Sequence, residues 1–422
     1  MRGFLASSTG VTCAAALALP LAPPAAATTS SSAPPVTSPT ARLDAHALGG
    51  GTQSLALAPL AHDRAPGAAE QGLPRRDVRH FSLVGVVWDN PATELHGRVE
   101  VRTRATATGT WSGWRELETH NADHAADPGT PESTSGRVRG ATAPLWVGES
   151  DGVEVRVRAE DAAATARTAP AAPRLPTGLR LELVDPGEDA PPPANRARTE
   201  AAEATEPAVL PALSARQKTK PHAGPRPRIT TRRGWGADEK LREKGFVYTK
   251  KIKAAFVHHS DTGNNYRCSQ APSVIRGIYR YHVKSMGWRD LGYNFLVDKC
   301  GNIYEGRAGG VSKPVLGAHT LGFNSNSMGI AVLGTYSSKK PSSAALKAIA
   351  RLTAWKVGLY GMNPRGKTYL KSGGGNLYPK GRKVRLNVIS GHRDGFATNC
   401  PGKKLYAKLG TARAKAAAYQ GR

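Results

Sequence analysis

The chain has 422 residues, 39% of them hydrophobic, which is enough for two or three folded domains. Its formal net charge is +27 at pH 7, and the excess lies in one part of the sequence: residues 226–422 hold 37 Lys and Arg against 8 Asp and Glu, whereas the remainder has a net charge of −2. No run of about 18 apolar residues follows the N-terminal region, so we expect no membrane span.

The N-terminus has the pattern of an export signal. Met1-Arg2 precedes an apolar, alanine-rich run that ends in Ala-Ala-Ala at position 27. A short basic region, an apolar region and an Ala-x-Ala site predict a signal peptide over residues 1–27 and a secreted or wall-associated protein. A disordered alanine-rich tail is the alternative. Residues 28–74 are rich in Ala, Pro, Ser and Thr, so we expect them to be disordered or a pro-region.

Residues 75–185 predict an all-β accessory domain. Short runs such as 97–104 and 153–158 alternate between apolar and charged residues and are separated by turn residues. This pattern is typical of half-buried antiparallel strands, and it predicts a β-sandwich. Its tryptophans could form a carbohydrate-binding face or belong to the core and strand edges; they are Trp88, Trp111, Trp114 and Trp146. The proline-containing stretch 186–225 predicts a linker.

From residue 226 the pattern becomes mixed α/β, and we assign residues 226–422 to one domain. We expect strands near 254–257, 293–297, 303–304, 329–334 and 385–389, helices after Pro272 and from Ser342 or Ser343 to about 358, and a basic helix near 403–419. The Gly/Lys/Arg-rich segment 362–385 predicts an exposed loop or a loose hairpin. It is either a solvated basic flap or a contact for anionic wall polymers.

Three residues in this region are candidate metal ligands. His258, His392 and Cys400 each follow an apolar strand, and groups at strand ends can converge on one crevice. Two imidazoles and a thiolate would leave the fourth position of a tetrahedral zinc open, which is typical of catalytic sites. Removal of the signal leaves three cysteines. Pairing Cys268 with Cys300 keeps Cys400 as a ligand, whereas a disulfide that includes Cys400 would abolish the site.

Seven motifs in this region occur in the order found in a known family. They are RRGWGA (232–237), VHHS (257–260), GWRDLGYNF (287–295), GNIYEGR (301–307), GAH (317–319), NSNSMGI (324–330) and GHR with CPG (391–393 and 400–402). With them, residues 226–412 resemble the peptidoglycan recognition proteins and the phage-type zinc amidases, which are N-acetylmuramoyl-L-alanine amidases. The resemblance implies a central mixed sheet flanked by helices and a groove that holds the stem peptide of peptidoglycan.

The resemblance also implies roles for single residues. His258, His392 and Cys400 match the zinc ligands. Tyr293 matches the tyrosine that assists the nucleophilic water and the tetrahedral intermediate, and Thr398 matches the position that stabilises the oxyanion. Further matches in the motifs imply substrate-binding roles for His319, Trp288, Arg307 and Asn324. We expect His259, beside the first ligand, to be structural.

The implied activity is hydrolysis of the amide between the lactyl group of N-acetylmuramic acid and L-alanine, by a zinc enzyme that we expect to be monomeric. A non-catalytic peptidoglycan-binding receptor on the same fold is the alternative. A nucleic-acid-binding protein would fit the charge, but the sequence has no recognition motif and carries an export signal. Cytoplasmic relatives with an Asp ligand use a Glu base where this chain has Ala331. Ala308-Gly309 replaces the Gly-Trp of many diaminopimelate-selective relatives, which leaves the stem-peptide preference open.

Overall fold

A computed structural model describes residues 49–60, 70–119, 121–160, 174–188 and 222–422. The predicted signal peptide and most of the predicted linker lie outside these residues. The strands are β1 (Gly51–Ala56), β2 (Ala58–Pro59), β3 (Glu70–Trp88), β4 (Gly97–Ala105), β5 (Arg115–Leu117), β6 (Gly140–Ala141), β7 (Leu145–Ala159), β8 (Arg180–Asp185), β9 (Ala254–His259), β10 (Phe295–Val297), β11 (Ile303–Glu305), β12 (Ser327–Val332), β13 (Lys367–Lys371), β14 (Lys383–Asn387) and β15 (Ile389–Gly391). The helices are α1 (Ala271–Arg280), α2 (Ser343–Gly358), α3 (Lys403–Tyr406) and α4 (Leu409–Tyr419).

The first eight strands form the predicted all-β domain. Their order is β1-β8-β3-β7-β4-β5, and β2 and β6 also pair with β3. The apolar residues that alternate with charged ones in the sequence are the buried residues of the strands. One core contains Val99 and Val101 of β4 and Val153 and Val155 of β7, and the charged residues between them are less buried. The fold class predicted for this part is therefore confirmed.

The start of this domain differs from the prediction. Strand β1 pairs with β8 along its whole length and β2 pairs with β3, so the sheet begins at Gly51 and not near residue 75. The prediction that residues 28–74 are disordered is thus wrong for 51–59 and 70–74. Few apolar residues occur there, but Leu55 and Leu57 pack against the core and the backbone pairing supplies the remaining contacts.

The four tryptophans do not form one face. Trp88 and Trp146 are 2% and 3% exposed and belong to the core, so a shared carbohydrate-binding face is wrong. Trp111 and Trp114 are half-buried, and the guanidinium of Arg102 lies over both rings, at 6.0 and 4.8 Å from their centroids. These two rings pack in cation–π contacts along the sheet surface.

The C-terminal domain has the predicted mixed sheet flanked by helices. The strand order is β11-β10-β12-β9-β15, with β10 and β11 antiparallel and the other pairs parallel. Helices α2 and α4 bury residues in one core, and α1 contributes to the other. Because β9 and β15 run parallel, His258 near the end of β9 and His392 directly after β15 lie at the same edge of the sheet.

The two domains share a core across α1. Val274, Ile275 and Ile278 of α1 are buried in the same cluster as Leu83 and Val87 of β3. At this boundary Gly85 is required by a close approach, because an added Cβ would lie 2.3 Å from the hydroxyl of Tyr281. That hydroxyl donates to the carbonyl of Thr142 at 3.1 Å. The accessory domain is therefore fixed against the C-terminal domain by packing as well as by the chain connection.

Several smaller features follow the sequence. Cys268 and Cys300 form a disulfide between the start of α1 and the β10–β11 turn, and Cys400 is free. Residues 362–385 contain strand β13 and the start of β14, which pair as a hairpin, and the strand expected at 385–389 is divided between β14 and β15. Among the described residues no helix is both long enough and apolar enough to cross a membrane.

Candidate metal centre and groove

His258 and Cys400 lie side by side at the end of β9. Nδ1 of His258 is 3.7 Å from Sγ of Cys400, and both residues are almost fully buried. Two ligands of a tetrahedral zinc, with bonds of 2.0–2.3 Å, are about 3.3–3.8 Å apart. The observed separation fits a shared metal ion.

His392 completes the set predicted from the sequence. It is fully buried, and its Nε2 lies 3.2 Å from the backbone carbonyl of Asp123. Its other ring nitrogen, Nδ1, makes no hydrogen bond and lies 3.7 Å from Oδ2 of Asp123. A buried imidazole nitrogen without a partner is costly, so this atom indicates a ligand position.

A fourth candidate ligand lies in the other domain. One potential ligand atom from each of His124, His258, His392 and Cys400 lies within 4.8 Å of the other three, and all four residues are buried. The His124 ring centroid is 4.6 Å from that of His392 and 5.3 Å from that of His258. Nδ1 of His124 lies 2.7 Å from Oδ1 of Asp123, and its Nε2 is buried without a hydrogen-bond partner. Sequence reasoning missed this residue, because it lies in a polar stretch without a strand or helix pattern.

The donor set fits zinc. Burial lowers the pKa of His258 well below its usual range and that of His392 to about 3, and neighbouring imidazoles lower the pKa of His258 further. Both rings are therefore neutral at physiological pH, which is the form that binds metal. Burial raises the pKa of the Cys400 thiol. A bound cation reverses that effect, since a coordinating thiol is deprotonated outright.

A polar chain orients the His258 ring. Oγ1 of Thr320 is 3.3 Å from Nε2 of His258 and 3.0 Å from Nδ1 of His319. Thr320 thus fixes the nitrogen of His258 that faces away from Cys400, the arrangement that usually orients a metal-bound histidine. His259 accepts a hydrogen bond at Nδ1 from the amide of Tyr336, consistent with a structural residue.

The two residues expected to act in catalysis lie beside the cluster. The Tyr293 ring centroid is 5.5 Å from that of His258, and burial raises the pKa of Tyr293, so its hydroxyl stays protonated at neutral pH. Thr398 accepts a hydrogen bond from the amide of Cys400 at Oγ1. Thr398 and Cys400 also line a cavity of about 690 Å³ between the two domains, next to Asp123 and His124.

The four residues expected to bind substrate are buried; they are His319, Trp288, Arg307 and Asn324. Residues 121–139 of the accessory domain, which we call the insert, contact two of them directly. Arg307 donates two hydrogen bonds to Glu132, and Asn324 donates to the carbonyl of Ala125 and to Asp127. His319 is fully buried and contacts Thr320 and Ser327. Trp288 stacks near His282 and lines a cavity with the insert's Val138.

Comparisons with known proteins agree with both domains. A family model described as N-acetylmuramoyl-L-alanine amidase matches residues 248–403, and one described as Rv3811 N-terminal galactose-binding domain-like matches residues 25–174. Peptidoglycan-recognition protein SC2 of Drosophila simulans is 32% identical over 162 residues, which are 38% of this chain and 73% of that protein. The human N-acetylmuramoyl-L-alanine amidase is 31% identical over 193 residues, 44% of this chain and 28% of that protein.

Among solved structures, wild-type Drosophila PGRP-LB is similar over 44% of this chain and 93% of its own, with 26% identity and a TM-score of 0.35. The sequence relatives, the amidase model and the residues at the sheet edge concern the same C-terminal domain. The chain belongs to the family of peptidoglycan-recognition proteins and type 2 N-acetylmuramoyl-L-alanine amidases.

Proposed function

We propose that this protein is a secreted, zinc-dependent N-acetylmuramoyl-L-alanine amidase, which hydrolyses the lactyl–L-alanine amide of peptidoglycan. The observation that carries the proposal is the pair formed by Cys400 and His258, with 3.7 Å between Sγ and Nδ1 and with the unpartnered Nδ1 of His392 nearby. Thiolate and neutral imidazoles are zinc ligands. A receptor that only binds peptidoglycan would not need this donor set.

The residues around the cluster suit amide hydrolysis. Zinc bound there would polarise the scissile carbonyl and lower the pKa of a water molecule. Tyr293, whose hydroxyl stays protonated, can donate a hydrogen bond to the attacking water or to the oxygen that becomes negative. Thr398 lines the adjoining cavity and can donate to the same oxygen. Thr320 keeps the His258 ring in the orientation that binding requires.

Ala331 supports Tyr293 as the acid–base group, because it stands where some relatives have a Glu base. Ala331 of β12 pairs with His258 of β9 and is fully buried. An alanine cannot transfer a proton, so a carboxylate base from this strand position is excluded. We therefore assign the acid–base role to Tyr293.

The Cys268–Cys300 disulfide and the basic surface support a location outside the cell. Disulfides persist in oxidising compartments. A domain with 37 Lys and Arg against 8 Asp and Glu attracts polyanions, and anionic wall polymers are the ones that an exported protein meets. We propose that the protein acts as a monomer on peptidoglycan in the wall.

The test is release of stem peptide from purified peptidoglycan by the zinc-loaded full chain. We expect new L-alanine amino termini to appear with wild type, or with His124→Ala alone where His124 closes the site, and we expect a chelator or the change Cys400→Ser to abolish their release. The same assay on the variant His124→Ala shows whether His124 blocks the metal centre in wild type. Binding to peptidoglycan without release by either protein would favour the receptor, the second function on this fold.

A further inference from the structure

The insert occupies the crevice that leads to the metal centre. It connects β5 to β6, and its backbone is fixed to the C-terminal domain at both ends. The carbonyl of Asp123 accepts from the amide of Leu321 at 2.9 Å, and the amide of Arg139 donates to the carbonyl of Met286 at 3.1 Å. Gly287 has φ +74°, and an added Cβ would lie 2.1 Å from the carbonyl oxygen of Arg137. The two backbones are in direct contact there.

The insert's carboxylates hold the groove residues. Both oxygens of Glu132 lie 2.8 Å from the guanidinium of Arg307, and this pair is buried. Oδ1 of Asp127 accepts from the amide of Gly322 at 2.8 Å and from the side-chain amide of Asn324 at 2.7 Å. A bidentate ion pair fixes orientation as well as position. Arg307 and Asn324, two of the four residues expected to bind substrate, are thus already held by the insert.

The insert also supplies the fourth candidate ligand. His124 places a ring nitrogen within 4.8 Å of the ligand atoms of His258, His392 and Cys400. Its Nδ1 lies 2.7 Å from Oδ1 of Asp123, and its buried Nε2 has no hydrogen-bond partner. Four protein ligands are typical of closed structural zinc sites, whereas catalytic sites keep one position for water. With His124 bound, the position that hydrolysis needs is filled.

We infer that the insert holds the protein in a latent form, in which His124 is the fourth metal ligand and Asp127 and Glu132 occupy the substrate contacts of the groove. Opening requires the insert to leave the metal and the groove together, because His124 and Glu132 belong to one segment. The inference rests on the proposed function for the identity of the metal and of the groove's ligand.

The first experiment tests the ligand with cobalt as the probe. The full chain is loaded with Co²⁺, and its d–d absorption and metal affinity are compared with those of His124→Ala. We expect the variant to show altered bands and an affinity weaker by at least about tenfold, since a protein ligand is replaced by water. His96→Ala, an exposed histidine of the same domain, is the matched control and should leave both unchanged. Identical bands and affinity for wild type and His124→Ala would overturn the inference.

The second experiment tests the groove with a fluorescent muramyl tetrapeptide. We expect the metal-loaded variants His124→Ala and Glu132→Gln to bind it at least about tenfold more tightly than wild type. Glu116→Gln, at an exposed glutamate, should bind like wild type. Asp127→Asn is the second groove variant should Glu132→Gln fail to fold. Equal binding by all proteins, or binding by none, would overturn the inference.

The two proposals fail in different ways. Tighter binding and altered cobalt bands without stem-peptide release from any variant would refute the amidase and leave the latent form standing. Stem-peptide release by wild type that is no faster in His124→Ala and Glu132→Gln would refute the latent form and leave the amidase standing.

Discussion

Glu132 and Arg307 form a two-armed ion pair across the domain boundary, with 2.8 Å between each carboxylate oxygen and a guanidinium nitrogen. Their side chains are 8% and 5% exposed. Nε of Arg307 donates to the carbonyl of Leu291, so the guanidinium is fixed from both sides. The pair joins the insert to a residue that the family motifs place in the substrate groove.

Glu132→Gln should destabilise the protein because it leaves Arg307 buried and unpaired. We expect a loss of about 3–5 kcal/mol in the free energy of unfolding at pH 7. Arg307 holds the pKa of Glu132 below its usual range, although burial opposes this. The stabilisation is therefore present above about pH 4.3 and is lost as the pH falls through the lowered value. Denaturant titrations should show that the difference in unfolding free energy between wild type and variant narrows as the pH falls below about 4.3, and a difference that does not change with pH would contradict this account.

Thr320→Val should weaken metal binding without touching a ligand. Oγ1 of Thr320 connects His319 to the Nε2 of His258. Loss of a hydrogen-bond partner that orients a metal ligand usually lowers metal affinity about 10–100-fold. Competition with a chelating dye measures the affinity. Thr353→Val, which removes an equally buried hydroxyl from α2, is the matched control. An affinity that stays within twofold of wild type for Thr320→Val would show that the His258 ring is held by packing alone.

The Cys268–Cys300 disulfide closes a loop of 32 residues in sequence separation. On the chain-entropy account, its removal by the double change to alanine should cost about 3–4 kcal/mol. A reductant should lower the melting temperature of wild type and of Cys400→Ser, and it should leave that of the double variant unchanged. A shift that depends on Cys400 would mean that the free thiol takes part in the bridge.

Much of the C-terminal domain could be predicted because its signals are local. The alternating or continuous apolar runs predicted β9, β10 and β12, and Pro272 and Ser342 indicated the starts of α1 and α2. The strand ends then brought the three predicted ligands together. The fold classes of both domains are confirmed.

The insert could not be predicted because nothing local distinguishes it. Its sequence is rich in Ala, Asp, Gly, Pro, Ser and Thr, which is typical of a solvated loop, and its position depends on contacts with residues that are more than 150 positions away, such as Glu132 with Arg307. His124 comes close to the predicted ligands only when α1 packs on β3 and brings the domains together. Strand β1 was missed for a related reason, since its main contacts are backbone pairs with the distant β8.

The hairpin of β13 and β14 should contribute to wall binding through charge. Lys367, Lys371, Lys383 and Arg385 are exposed, while the residues between them pack on Phe256 and Phe323. Neutralising the four charges with glutamine keeps that core intact. We expect weaker binding to purified wall at low salt and a smaller loss of binding when salt is added.

The control for the hairpin removes the same charge from another exposed surface, with glutamine at Lys240, Lys244, Lys250 and Lys251. If both variants lose wall binding equally, the net charge of the domain matters and the hairpin has no special role.

Tyr293→Phe tests the chemistry at the centre. The change keeps the ring that packs 5.5 Å from His258 and removes only the hydroxyl, which burial keeps protonated. We expect zinc content and cobalt bands like those of the parent protein, with stem-peptide turnover lower by about a hundredfold or more, the usual effect of losing an acid–base group. Tyr304→Phe removes a buried hydroxyl that bonds to Asp298 and should leave turnover unchanged.

Because His124 can mask the site, both changes are best compared in wild type and in His124→Ala. Full turnover by Tyr293→Phe with zinc bound would remove the hydroxyl from the mechanism and leave Thr398 as the donor to the oxyanion.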